Sequence, residues 1–146
     1  MTLPEAPALT AHSAIRAELP PGYIAHLGTN RFLVDEQLPA GDVELVIARG
    51  ADQFDILRTA RTDAVNFGIL TEAIIKQLES WDRAHGIDNV LANTVVFKLR
   101  ERPVDLDAFA KEVYAFCPDV VDQGTGTLAA LAKEIGARGE VSLWWD

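Results

Sequence analysis

A chain of 146 residues and 15.9 kDa has the size of one domain, and 49% hydrophobic with 24% charged residues is the balance of an ordinary globular core, which excludes collagen-like, disordered and coiled-coil classes. Thirteen basic and twenty-two acidic residues leave a net charge of −9, the sign that repels phosphate backbones and anionic membrane surfaces, so neither nucleic acid nor membrane is expected as a partner. The single cysteine, Cys117, cannot close an internal disulfide; a reducing, cytoplasmic setting is expected, with no metal or cofactor needed for folding.

The first twenty residues lack a basic region followed by an apolar run, and no window approaches the roughly eighteen apolar residues of a membrane span. Pro4, Pro7, Pro20 and Pro21 punctuate this stretch. Residues 1–20 are expected as a loosely attached arm with one short helix around residues 10 to 18, and residues 21–146 as a single α+β domain. From Tyr23 to Arg61 apolar residues alternate, with Val43, Leu45 and Ile47 the clearest case. That period predicts strands at 23–27, 31–34, 42–48 and 54–60, separated by turn compositions.

After Asn66 the period changes. Ile74, Ile75, Leu78, Trp81 and Ala84 fall on one helical face, with Thr71 as N-cap and Gly86 as the stop. Two strands, 87–92 and 95–101, flank Asn93-Thr94 as a hairpin whose Val95, Phe97 and Leu99 share a buried face. Leu106, Phe109, Ala110, Val113 and Phe116 mark a second helix capped by Asp105 and stopped by Pro118. A third uses Leu128, Leu131, Ala132 and Ile135, with Thr125 or Thr127 as N-cap and Gly136 at its end, before a closing strand 140–145. Residues 53–146 therefore read β-α-β-β-α-α-β, the ferredoxin-like order, with helices on one face of a mainly antiparallel sheet extended by the N-terminal strands.

The segment CPDVVDQGTGT, residues 117–127, is the least generic part of the chain: a connection between helices needs about two to eight residues without special chemistry. Gly124-Thr125-Gly126-Thr127 ahead of a helix has the form of an anion cradle, yet no lysine accompanies it and Asp119 and Asp122 oppose phosphate. Turn glycines and a capping threonine are the plainer reading. Asp119, Asp122 and Asp146, with Gln123, form a weak carboxylate set for a hard divalent cation, with local turn capping as the competing role. Cys117 follows a helix C-terminus among acids, which disfavours a reactive thiolate. His12, His26 and His85 are not tied to this segment by sequence. Trp144 and Trp145 would point to opposite faces of the last strand, so Trp145 is either an exposed partner anchor or is covered by other strands.

The string Tyr114-Ala115-Phe116-Cys117-Pro118-Asp119, then Val121 to Thr127, an Ala/Leu-rich helix and Leu143-Trp144-Trp145-Asp146, resembles the bacterial domain-of-unknown-function 4253 family. Asn66, Thr71-Glu72, Ile74-Ile75 and Trp81-Asp82 follow that family's order, so the resemblance covers about residues 55–146. It implies no activity, cofactor or catalytic set.

Function is expected from one of two classes. The first is a non-enzymatic protein-interaction module, an acidic cytosolic domain binding another protein in the way an immunity protein blocks a basic toxin; residues 105–146 hold eight acids and three bases. The alternative is a metal-dependent or small-molecule-binding enzyme using Asp119, Asp122 and Gln123, with Gly124, Thr125 and Asp146 nearby. Against both stands a purely architectural loop, in which Asp122→Ala would cost about 1–3 kcal/mol from donors left unpaired.

Overall fold

A computed structural model describes residues 2–28, 42–60, 62–92 and 94–146. The chain is α+β, as expected. In place of one core it has two compact units, Met1–Arg61 with Leu91–Asn93, and Thr62–Val90 with Thr94–Asp146.

The first unit is built on a three-stranded antiparallel sheet of order β1-β3-β2, with β1 Thr2–Pro4, β2 Tyr23–Gly28 and β3 Asp42–Arg49. Residues 1–20 are therefore no loose arm. Thr2 to Pro4 pair along β3, and helix α1 (Glu5–Glu18) follows at once. Pro7 is tolerated in its first turn, where an N–H has no intrahelical partner, and Leu19 is held extended because Pro20 follows it. Ala8 is fully buried, and His12 Nε2–H donates to the Ala25 carbonyl at 2.9 Å, binding α1 to β2. On β3, Leu45 is buried as predicted, whereas Ile47 is exposed. The strand expected at 31–34 and the side chain of Val43 lie outside the described residues.

The strand expected at 54–60 is instead a short helix, α2 (Asp55–Thr59). Two carboxylates account for it. Asp52 Oδ1 accepts from Phe54 N at 2.8 Å, and Asp55 Oδ2 accepts from Ala51 N at 2.6 Å, so side chains hold N–H groups that a ladder would need. The Ala51 N–H, and after it the Arg58 guanidinium and the Asp52 N–H, hold the Asp55 carboxyl below its ordinary value. Adjacent Ile56 and Leu57 are both buried, which a helix allows and a half-exposed strand does not.

The second unit carries the 3₁₀ turn Asp63–Phe67, helix α3 (Thr71–His85), strand β4 (Ile87–Leu91) up to Val90, strand β5 (Val95–Leu99), helix α4 (Leu106–Phe116), a π turn (Val120–Thr125), helix α5 (Leu128–Arg138) and strand β6 (Glu140–Leu143). Its sheet has the order β4-β5-β6, and β5 and β6 are antiparallel neighbours. The ferredoxin-like order fails for two reasons. Its first strand is α2, and an adjacent antiparallel β5–β6 pair is not the parallel crossover that a split βαβ unit makes. Nor do the N-terminal strands extend this sheet, because they form their own.

Helix α3 buries Ile74, Ile75, Leu78 and Trp81, as the period requires, while Ala84 is exposed. Its N-cap is Leu70, not Thr71; its C-cap is Gly86 at φ 68°. Asp105 caps α4 as expected, accepting from Ala108 N at 2.9 Å. Helix α5 runs past Gly136 to end at Gly139, φ 64°. Gly136 has a packing reason instead: a Cβ there would sit 2.8 Å from Leu106 Cδ1, so its bareness lets α5 approach α4.

Trp81 organises this core. Its ring lies 5.8 Å from Phe97 on β5, and 5.5 and 5.9 Å from Phe109 and Phe116 on α4, centroid to centroid, and its Nε1–H donates to Glu112 Oε2 at 3.3 Å. Trp81→Ala is expected to cost about 3–5 kcal/mol in urea unfolding, through the cavity left among three rings, and Trp81→Phe distinctly less.

Candidate functional site

The CPDVVDQGTGT segment is not an open loop. Pro118 cannot continue α4, and the chain turns at once into six π-helical residues, with Val120 and Val121 buried beneath and Gly126 at φ 75° closing the turn. Thr127 then caps α5, its Oγ1 accepting from Ala130 N at 3.1 Å. The Thr125 hydroxyl lies 3.4 Å from the Val120 carbonyl and 3.2 Å from that of Thr127. The anion-cradle reading thus gives way to capping: both threonine hydroxyls are spent on the turn itself.

Asp119, Gln123 and Asp146 do converge. Asp119 Oδ2 accepts from Asp146 N at 3.1 Å, Asp119 Oδ1 accepts from Gln123 Nε2 at 3.2 Å, and the same amide donates to the Asp146 carbonyl at 3.3 Å. This is a closed ring of three residues that ties the C-terminus to the π turn. Asp122 is not part of it. Its carboxylate is exposed and accepts from Tyr114 Oη at 3.3 Å, and its negative charge raises the Tyr114 pKa above the ordinary value. The proposed Asp119, Asp122 and Asp146 set is therefore split between two sides of the turn. Among the described residues, no three His, Cys, Asp or Glu side chains are arranged to hold a metal ion.

One further bond and one close contact lock the ending. Cys117 is fully buried, its Sγ–H donating to the Trp144 carbonyl at 2.9 Å, and burial is the main reason its pKa is pushed up to about 11. Trp144 lies across Gly124, where a Cβ would stand 2.7 Å from the ring, so only glycine permits the contact. Trp145 is no exposed anchor. It is 6% exposed and packs edge-on to Phe116 at 6.0 Å, because the chain leaves the strand after Leu143 and both indoles turn onto the unit. Gly124 and Thr125 instead line a cleft of about 220 Å³ beside β6. That cleft was not visible in the sequence; its only trace was the i, i+3, i+4, i+7 spacing of Leu131, Glu134, Ile135 and Arg138, which reads first as a core stripe. Of the histidines, His12 braces α1, His26 is buried in β2, and His85 packs edge-on to Phe109 at 5.1 Å.

The fold is an α+β chain of two units whose second unit carries a C-terminus clamped by Asp119, Gln123 and Cys117. The family model described as "Domain of unknown function (DUF4253)" matches residues 44–146, and the chain belongs to that family. No curated protein and no solved structure matches it. Among the described residues, no helix is long and apolar enough to cross a membrane.

Asp119→Ala is expected to lower stability by about 1–2 kcal/mol, since Asp146 N and the Gln123 amide lose their acceptor, while Asp122→Ala leaves the thermal midpoint unchanged; paired melts decide it. A thiol whose pKa is about 11 when folded and lower when unfolded keeps its proton in the native state while the unfolded chain loses it. Stability from this group is thus full below the unfolded value and falls as pH rises toward 11. Urea unfolding at stepped alkaline pH should show that decline, and Cys117→Ala should flatten it.

Proposed function

We propose that this chain is a non-enzymatic, cytoplasmic protein-interaction module whose acidic surface binds a basic partner protein, in the manner of an immunity protein. The observation that carries the reading is the fate of the chemical groups in the CPDVVDQGTGT segment. Asp119 and Gln123 are engaged with the C-terminus, Thr125 and Thr127 with the backbone, and Cys117 is buried as a neutral thiol. A group spent on framework bonds is poorly placed to bind or transform a small substrate, so the enzyme alternative loses Asp119 and Gln123 and keeps only the exposed Asp122. What stays on the surface is charge, eight acids to three bases over residues 105–146, together with apolar Val65, Phe67 and Leu70, each at least 50% exposed. Such a mixture suits recognition, because complementary charge speeds encounter and apolar side chains supply contact area.

Affinity capture with the tagged full chain at low ionic strength should recover one basic protein in stoichiometric amount. The complex should weaken as salt rises toward about 0.5 M, where charges more than a few ångströms apart are screened. Recovery of no stoichiometric partner, or of one whose retention ignores salt, would overturn the reading.

A further inference from the structure

Among the described residues, strand β6 closes its sheet with one side open. It is an edge in the order β4-β5-β6, and its register decides which backbone groups look outward. Leu99 N–H donates to Gly139 O at 2.8 Å, so in antiparallel alternation the pairs Phe97–Val141 and Val95–Leu143 exchange bonds with β5. Glu140 and Ser142, opposite Lys98 and Val96, turn their N–H and C=O groups away from β5. The 220 Å³ cleft runs along that side. One wall is the α5 stripe of Leu131, Glu134, Ile135 and Arg138; the other is Glu140, Val141, Ser142 and Trp144. Val141 belongs to the buried face of the strand and Ser142 to the opposite face, so the cleft lies over the strand's edge and not over one face.

We infer that this groove between α5 and the β6 edge docks an extended segment of a basic partner protein, added to the sheet as a fourth strand. The inference rests on the interaction reading above and gives it a place. An edge with outward N–H and C=O groups is a template for an incoming strand, and the cleft alongside, backed by the buried Leu131 and Ile135, leaves room for alternate side chains of that strand. The sign of the occupant follows from the lining. Glu134 and Glu140 outnumber Arg138, whose guanidinium is already bonded to Glu134 at 2.9 Å. Lysines alternating with apolar residues match both walls. A second copy would bring two chains of net charge −9 together at their acidic C-terminal regions, which charge opposes.

The probe is an acetylated, amidated hexapeptide of alternating lysine and valine, titrated into the isotope-labelled full chain. The Glu140 and Ser142 amides are expected to shift and to exchange more slowly, Trp144 emission to change, and affinity to fall with salt. The same peptide N-methylated at alternate residues should lose binding. Ser142→Pro gives up only an outward N–H and keeps the β5 ladder, so once its circular dichroism matches the parent it should weaken binding about tenfold, roughly one lost hydrogen bond. If that variant does not fold, the N-methylated peptide decides alone. Unmoved Glu140 and Ser142 amides at millimolar peptide, equal binding of the N-methylated peptide, or equal binding by folded Ser142→Pro would each overturn the groove. Protection of the same amides without peptide, with a doubled mass, would seat a second copy there and overturn it too. A captured basic partner still held by Ser142→Pro would sink the groove alone; capture of no partner sinks the interaction reading, and the peptide titration is scored independently of it.

Discussion

The indole of Trp81 is where three elements of the second unit meet, and their arrangement depends on it. An aromatic ring satisfies several neighbours at once only if each presents an edge or a face at the right angle, and here Phe97 stacks while Phe109 and Phe116 meet it edge-on. This sets α3, β5 and α4 around one point. Phe116 passes the contact on to Trp145, so the aromatic chain reaches from α3 to the penultimate residue. The hydrogen bond to Glu112 removes the one polar cost of burying the ring.

The C-terminal clamp follows from that core. Once Phe116 is seated on Trp81, Cys117 and the π turn lie beside the end of β6, close enough for the thiol to meet the Trp144 carbonyl and for Asp119 to meet the Asp146 N–H. Each bond joins residues twenty-seven positions apart. Asp119, the Gln123 amide, the glycine that admits Trp144 and the lone cysteine all hold residues 144–146 to the π turn, so a segment with the composition of a reactive loop acts as a fastening.

Much of the local structure was legible in the residues. The buried stripe of α3, the Asp105 cap, the β4–β5 hairpin with its alternating Val95, Phe97 and Leu99, and a threonine cap on α5, left between Thr125 and Thr127 until the fold chose Thr127, all come from patterns a few residues long. Errors arose where two local patterns compete. Apolar Phe54, Ile56 and Leu57 fit a strand until Asp52 and Asp55 claim the neighbouring N–H groups, and Gly136 resembles a helix stop until Leu106 is known to press on it.

By itself, the sequence determined the α+β class, the Asp105 cap and the Gly86 stop, the family and the acidity, because each depends on residue type and short spacing. Tertiary structure alone decided that the N-terminal strands make their own sheet, that Asp122 stands apart from Asp119, that Trp145 is buried, and that a cleft borders the β6 edge. The reason is physical: a carboxylate's role is set by the donor it meets, and the donor of Asp119 is the amide of Asp146, which only the folded chain brings within 3.1 Å.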